Sequence, residues 1–174
     1  MFKVLTVGDS AVGKTTLLNR YVTGKFKLDL KSTIGVDILK KELIIKDYSI
    51  MLQLWDFGGQ EEYRFMQNRY ALGSAGAVVM FDLTRPETLD NIEEWVALCR
   101  IHEENLPLIL VGAKLDLVDE TSIDETYVLQ ILKLFKFISF IKVSSKTGRN
   151  VELIFQAITE NMLENQGFLE SGTS

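Results

Sequence analysis

A short glycine-bearing segment, GDSAVGKTT, spans Gly8–Thr16. It matches the pattern G-x-x-x-x-G-K-[ST], in which backbone N–H groups converge on phosphate oxygens. In that pattern Lys14 reaches the outer phosphates and the Thr15 hydroxyl coordinates magnesium. The alternative is an ordinary turn between a strand and a helix that carries these residues incidentally. The elements that flank the segment decide between the two interpretations.

Three further segments place small and charged side chains where predicted strands end. The segment LQLWDFGGQEEYR carries Asp56, whose carboxylate is suited to holding magnesium, and Gly59, whose N–H is suited to the terminal phosphate. VGAKLDL and VSSKTG follow at residues 111–117 and 143–148. Each segment alone is weak evidence. Because nucleotides bind beyond the carboxyl ends of strands in parallel sheets, four such segments in order favour a nucleotide site over coincidence.

Strands and helices alternate along the whole chain. The predicted strands are Phe2–Val7, Val36–Ile45, Ile50–Trp55, Ala75–Leu83, Leu106–Val111 and Phe137–Val143. The predicted helices are Thr15–Val22, Glu87–Glu103, Ile123–Phe135 and Val151–Leu163, with loops at Gly24–Ser32 and Phe57–Met66 and a hairpin turn at Lys46–Tyr48. Helices between strands imply parallel pairing with right-handed crossovers. We therefore predict one α/β domain with a mostly parallel six-stranded sheet, one antiparallel strand and helices on both faces.

Composition limits the classes of function. The chain has 174 residues and a formal net charge of -5, which argues against a nucleic-acid binder. Cys99 is the only cysteine and His102 the only histidine, so an internal disulfide and a Cys/His metal cluster are excluded. We expect Cys99 and Trp95 in the core and His102 at the surface. No apolar run approaches the ~20 residues that span a bilayer, and we expect a soluble, cytoplasmic protein.

Together these segments resemble the Ras superfamily of small GTPases, which have a P-loop NTPase fold, over essentially the whole chain. GDSAVGKT, STIGVD and LQLWDFGGQE are most similar to the Rab branch, and WDFGGQE is also similar to archaeal relatives of that branch. The resemblance implies a G domain over residues 1–164 and a short tail over residues 165–174. It also implies a GTP-binding molecular switch in membrane trafficking, which binds GTP or GDP with Mg²⁺ and hydrolyses GTP.

The resemblance assigns catalytic and metal roles. Gln60 matches the residue that orients the attacking water, and Lys14 and Thr33 complete the catalytic set. Thr33 matches the threonine that closes over magnesium and the terminal phosphate. The implied magnesium ligands are Thr15, Thr33 and Asp56.

The resemblance also assigns contacts to the guanine base. Phe26 matches the aromatic that supports the base, although a packed loop aromatic is the alternative. Asp116 matches the carboxylate that pairs with the guanine N–H groups. Lys114 matches the lysine whose stem packs along the base, and the alternative is a solvated charge. The whole implied nucleotide-binding set is Ser10, Ala11, Val12, Gly13, Lys14, Thr15, Thr16, Phe26, Thr33, Gly59, Lys114, Asp116, Ser144, Ser145 and Lys146.

The chain departs from the family pattern at three places. Ala113 stands where the base-recognition motif usually has asparagine, and we expect guanine specificity to survive with affinity weaker by ~1–3 kcal/mol. Phe57-Gly58 replaces the usual Thr-Ala, with the direction of the effect left open. Rab proteins commonly have an exposed trio of apolar aromatic residues; Trp55 and Tyr70 match two of them, and Ile38 stands at the third. The alternative for Trp55 is a place in the core.

The implied partners are an exchange factor, a GTPase-activating protein and effectors, which bind through residues 24–38 and 57–70. No arginine falls in Gly24–Thr33, so we expect slow intrinsic hydrolysis. The tail ENQGFLESGTS has no cysteine, so we expect no direct lipid anchor and any membrane association to go through partners. A nucleotide-binding scaffold with negligible turnover remains the alternative function. A P-loop kinase or ATPase is disfavoured by Asp116.

Overall fold

Six strands form a single sheet in the computed structural model, which describes residues 1–27, 33–59, 64–119 and 124–169. The strands are β1 (Phe2–Gly8), β2 (Val36–Ile45), β3 (Tyr48–Phe57), β4 (Gly76–Asp82), β5 (Leu108–Ala113) and β6 (Ser139–Lys142). Their order is β2-β3-β1-β4-β5-β6, and only the β2–β3 hairpin is antiparallel. The predicted mixed sheet with one antiparallel strand is therefore confirmed.

Helices cover both faces of the sheet, as predicted. They are α1 (Lys14–Thr23), α2 (Arg64–Tyr70), α3 (Ile92–Cys99), α4 (Glu125–Leu134) and α5 (Val151–Asn165). On one face α1 packs against α5, where the rings of Tyr21 and Phe155 stack with centroids 3.9 Å apart. On the other face α3 and α4 bury Trp95 and Val128. The sheet thus lies between two apolar layers.

The parallel strands bring their carboxyl ends to one edge of the sheet. β1 pairs with both β3 and β4, so the segment after β1 starts at the centre of that edge. Every residue of β4 and β5 is buried, which is typical of strands covered on both faces. The loops that follow β1, β3, β4 and β5 therefore meet at this edge.

The predicted helix Glu87–Glu103 is wrong in extent. The structure has a 3-10 turn at Pro86–Leu89, followed by α3, which ends at Cys99. The Thr88 hydroxyl donates to the Arg85 carbonyl and accepts from the Asp82 N–H, which holds the turn in place. Beyond α3, the Arg100 guanidinium donates to the carbonyl groups of Leu106, Phe135 and Lys136. The chain around α3 is thus held by side-chain hydrogen bonds at both ends of the helix, and it does not form one continuous helix over residues 87–103.

The strand predicted at Leu106–Val111 begins and ends two residues later. Pro107 carries no N–H for the sheet, and its carbonyl accepts the Ala77 N–H just before the paired segment. Ala113 is therefore the last residue of β5 rather than part of a loop. Asp124 caps α4 by accepting the N–H groups of Thr126 and Tyr127, while the predicted start of this helix at Ile123 lies outside the described residues.

No helix among the described residues combines the length and apolar character needed to cross a bilayer.

Candidate nucleotide and magnesium site

The segment Gly8–Thr16 connects β1 to α1, which gives it the strand-loop-helix context that the motif requires. Gly13 precedes the helix with φ of 105°, a conformation that glycine adopts without strain. The first turn of α1 therefore directs its free N–H groups and partial positive charge into the loop. An anion is the ligand that this geometry favours.

Lys14 lies buried in the loop that it closes. Its ammonium donates to the carbonyl groups of Gly8 and Asp9, each at 2.7 Å. Burial lowers the pKa of Lys14 to about 8, although the nearby charges of Asp56 and Asp9 act in the opposite direction. The cation is thus positioned beside the loop's N–H groups and satisfied by backbone oxygens.

Thr15, Thr33 and Asp56 come together beside the phosphate loop. The Thr15 hydroxyl donates to Asp56 Oδ2 at 2.5 Å and lies 2.7 Å from the Thr33 hydroxyl, which itself donates to Asp56 Oδ2 at 2.9 Å. Asp56 is fully buried, and its Oδ1 atom accepts no hydrogen bond from the residues that the structure describes. Burial, partly offset by the two hydroxyl bonds, raises the pKa of Asp56.

This cluster fits a magnesium ion. Mg²⁺ prefers oxygen ligands and is held by one or two carboxylates together with substrate phosphates. Two hydroxyls and a carboxylate, one of whose buried oxygens has no hydrogen-bond donor in the described part of the chain, supply that donor set. The three residues predicted as magnesium ligands therefore do converge, although they come from α1, β3 and the segment before β2.

A cavity of about 530 Å³ extends from this cluster to the loops after β5 and β6. Such a volume is within the range of small-molecule and cofactor sites. The cavity is lined by all the predicted nucleotide-binding residues except Ser144. Ser144 instead donates its hydroxyl to Asp116 Oδ1 at 2.7 Å and so orients that carboxylate. Phe26 also borders the cavity and is half-buried.

Ala113 is almost fully buried and faces the phosphate loop. Its methyl group faces Gly13, because a Cβ atom added to Gly13 would lie 3.9 Å from it. The side chain at position 113 consequently supplies no hydrogen bond between the loop after β5 and the phosphate loop.

The pair Phe57-Gly58 has two separate effects. Phe57 is fully buried in the apolar layer on the α3 side and anchors the end of β3. Gly58 donates its N–H to the Gly35 carbonyl at 2.8 Å and accepts from the Gln67 side-chain amide at 2.7 Å. A Cβ atom at position 58 would lie 2.6 Å from the Thr33 carbonyl oxygen. Glycine is therefore required for this close approach.

Gly59 lies directly against the phosphate loop. A Cβ atom there would be 2.6 Å from the carbonyl carbon of Asp9, so only glycine fits. The predicted catalytic Gln60 follows immediately and lies outside the described residues.

The sequence did not indicate two acidic residues that organise the site. Asp9 accepts the Asn91 amide and the Trp95 indole N–H, both at 2.8 Å, and so ties the phosphate loop to α3. Asp82 is buried at the end of β4 and pairs with Lys114 and Arg85. An acidic residue that ends an otherwise apolar buried strand was the available signal for Asp82.

The apolar trio comprises Ile38 and Trp55, which pair across the β2–β3 hairpin, and Tyr70 at the end of α2. Ile38 is 45 % and Tyr70 39 % exposed, whereas Trp55 is half-buried between the core and the surface. The rings of Trp55 and Tyr70 are 5.9 Å apart, and the Lys3 ammonium lies 3.7 Å above the Trp55 ring. Elsewhere, Cys99 and Trp95 are buried and His102 is exposed, as expected.

A phosphate loop after a central strand, with a buried carboxylate at the end of the neighbouring parallel strand, defines a P-loop nucleotide-binding protein. The Ras family model matches residues 3–164. "Ras-related protein RABA4a" of Arabidopsis thaliana is 38 % identical over 159 residues, which cover 91 % of this chain and 70 % of the relative. "Ras-related protein Rab-7a" of Paramecium octaurelia is 33 % identical over 165 residues, which cover 92 % and 80 %.

A third relative is the "GTP-binding protein ypt3" of Schizosaccharomyces pombe, 35 % identical over 159 residues that cover 91 % of this chain and 74 % of the relative. The chain belongs to the Ras family and is a Rab-like small GTPase. Proteins of this family bind GTP or GDP with Mg²⁺, hydrolyse GTP and act as switches that regulators and effectors recognise.

Proposed function

We propose that this chain is a slowly hydrolysing GTP switch whose nucleotide site is the cavity between the phosphate loop and the loops after β5 and β6. The observation that carries this proposal is the convergence of Thr15, Thr33 and Asp56 on one point beside that loop. The cluster connects α1, β3 and the segment before β2, so occupancy of the site changes contacts in three elements at once.

In this proposal the phosphates lie against the N–H groups of residues 10–16 and the ammonium of Lys14. A magnesium ion held by Thr15, Thr33 and Asp56 would neutralise phosphate charge. Gly59 lies directly against the phosphate loop, and its backbone N–H would bind the terminal phosphate. Gln60 orients the water that attacks the terminal phosphate.

Recognition of guanine is assigned to the other end of the cavity. Asp116 offers carboxylate acceptors to the guanine N–H groups, and Ser144 holds it in place. Lys114 packs its stem along the base, while Phe26, Ser145 and Lys146 enclose it. Adenine lacks the matching donors, so we propose that the site prefers guanine nucleotides.

Turnover is the first test of the proposal. We expect single-turnover hydrolysis of GTP on the order of 10⁻⁴–10⁻³ per second, the range of related GTPases without a supplied arginine. The Gln60→Leu variant should be slower, with GTP binding retained. Equal near-zero rates in both proteins, with GTP bound, would instead indicate a nucleotide-binding scaffold. Tighter binding of ATP than of GTP would contradict the guanine assignment.

The switching surface is assigned to residues 24–38 and 57–70, which would bind exchange factors, activating proteins and effectors. The similarity to Rab proteins supports a role in membrane trafficking. Affinity capture with the chain locked in its GTP or GDP state tests this role. Partners retained by the GTP state alone would support it, whereas identical sets from both states would contradict it. We also propose that residues 1–164 form the G domain and residues 165–174 a short tail.

A further inference from the structure

A buried carboxylate lies between the two ends of the nucleotide site. Asp82 ends β4 with its side chain fully enclosed. Its Oδ2 atom accepts from Lys114 Nζ at 2.6 Å and from Arg85 Nε at 3.0 Å. Its Oδ1 atom accepts from the N–H and hydroxyl of Thr84 at 2.9 and 2.7 Å. Burial alone would raise the pKa of Asp82, but these hydrogen bonds outweigh it and lower the pKa, so the group is ionised.

Both cations that bind Asp82 continue to the phosphate loop. Lys114 Nζ donates to the Ala11 carbonyl at 3.0 Å, and Arg85 Nη2 donates to the Ser10 carbonyl at 3.2 Å. A single carboxylate oxygen therefore positions two donors on consecutive carbonyl groups of the loop. Hydrogen bonds to ionised groups are roughly twice as strong as neutral ones, so this is a firm connection.

The neighbouring position in the sheet supplies no such connection. Ala113 pairs with Asp82 in the β4–β5 register, and its carbonyl accepts the Leu83 N–H at 3.0 Å. Its methyl group faces Gly13 with no polar atom. The two residues thus lie side by side at the junction of the loop after β5 and the phosphate loop. Of these two side chains, that of Asp82 makes polar contacts there, whereas that of Ala113 has no polar atom.

We infer that Asp82 is a positioning residue for guanine-nucleotide binding. It holds Lys114 in position and connects the loop after β5 to the phosphate loop, a connection that a side-chain amide at position 113 would otherwise make. This inference rests on the proposed function, since it requires the nucleotide to occupy this cavity. Asp82 does not touch the nucleotide in this view; it acts through Lys114 and Arg85.

The test is the rate at which a fluorescent GDP analogue leaves the full chain. Asp82→Asn keeps the size of the side chain but removes the charge that binds both cations, and we expect release ~10–100-fold faster. Arg85→Ala removes one of the two connections from a partly exposed position and should accelerate release by a smaller factor. Glu125→Gln is the matched control, because it removes an exposed ion pair with Lys142 away from the cavity and should leave release unchanged.

A second background separates positioning from general stability. In an Ala113→Asn chain the new amide can connect the loops, so Asp82→Asn should there accelerate release by a much smaller factor than in the natural chain. The same large factor in both backgrounds would overturn the inference, as would unchanged release in both Asp82→Asn and Arg85→Ala. If Asp82→Asn does not fold, Arg85→Ala in the two backgrounds decides the matter. Failure of the unaltered chain to bind the GDP analogue would instead overturn the proposed function.

Discussion

Gly58→Ala is the perturbation whose effect follows most directly from the structure. The new Cβ atom would lie 2.6 Å from the Thr33 carbonyl oxygen and 3.2 Å from that of Gly35. Both oxygens belong to the segment that carries Thr33 into the cluster with Thr15 and Asp56. The methyl group therefore pushes directly on the segment that completes the proposed magnesium site.

The size of the effect follows from these contacts. The Thr33 carbonyl oxygen, 2.6 Å from the new Cβ atom, must move by roughly 0.8 Å or more to reach ordinary van der Waals distance. The Gly58 N–H bond to Gly35, at 2.8 Å, lies in the same contact and would weaken as the segment moves. Loss of such a bond costs ~0.5–1.5 kcal/mol, and residual overpacking adds to it. We expect the closed arrangement to be disfavoured by about 1–2 kcal/mol, a factor of roughly 5–30.

Dissociation of a non-hydrolysable GTP analogue and of GDP, each with excess magnesium, measures this effect. If Thr33 closes over the triphosphate, Gly58→Ala should release the analogue ~5–30-fold faster and alter GDP release by a much smaller factor. Gly76→Ala is the control, because its Cβ atom would also be crowded, at 3.0 Å from Ile158, but lies at the opposite end of the sheet. It should lower thermal stability and leave the ratio of the two release rates unchanged.

Two results would refute the reasoning about Gly58. Equal acceleration of both nucleotides would show that the contact supports the site in general rather than the triphosphate state. Unchanged release of the analogue from a folded Gly58→Ala protein would show that the segment around Thr33 accommodates the methyl group without cost.

Three other outcomes are expected. In wild type, EDTA should accelerate nucleotide release because it removes magnesium, and Asp56→Asn should reduce this acceleration ~10–100-fold. The measurement is the release rate with and without EDTA. An unchanged effect of EDTA would contradict the assignment of Asp56 as a magnesium ligand. Trp95→Phe removes the 2.8 Å hydrogen bond to the Asp9 carboxylate and should lower the free energy of unfolding, measured in urea, by ~1.5–3 kcal/mol. An unchanged free energy of unfolding would contradict the inferred connection between the phosphate loop and α3. Burial raises the pKa of Cys99 to about 12 from an ordinary 9.0, so its contribution to stability is present below pH 9 and declines above it as the unfolded thiol ionises. The native thiol should therefore resist a disulfide reagent at pH 8 and react only after denaturation.

The central strands β1, β4 and β5 could be predicted from the sequence because they are buried on both faces of the sheet. A continuous apolar run such as the one that contains β4 is typical of a buried strand. The phosphate-loop motif is contained in the nine residues Gly8–Thr16. The convergence of Thr15 and Asp56 follows from the parallel order of β1 and β3, since their ends share one edge. The apolar runs and the glycine motif depend on residues that are neighbours in the chain, which a sequence displays directly. The approach of Thr15 to Asp56 depends in addition on the parallel pairing that alternating strands and helices imply.

The remaining features depend on side chains that are distant in sequence. The break between the turn at Pro86–Leu89 and α3 is held by contacts of Asp82 and Asp9, which helical periodicity cannot reveal. The apolar face of the predicted helix places Trp95 in the core, where it is buried, but its indole N–H donates to a loop residue 86 positions away. Likewise, the effect of Phe57-Gly58 could not be predicted from the sequence, because it depends on the position of the segment around Thr33 and Gly35, which lies against Gly58.

The two tryptophans also give this protein two built-in optical probes. Trp95 is buried with its indole N–H on the phosphate loop, whereas Trp55 is half-buried beside Tyr70 and the proposed switching surface. Since the chain contains no other tryptophan, each single-tryptophan variant reports on one region alone. Emission from Trp55 in the Trp95→Phe background would follow rearrangement of the surface in real time, without an attached dye.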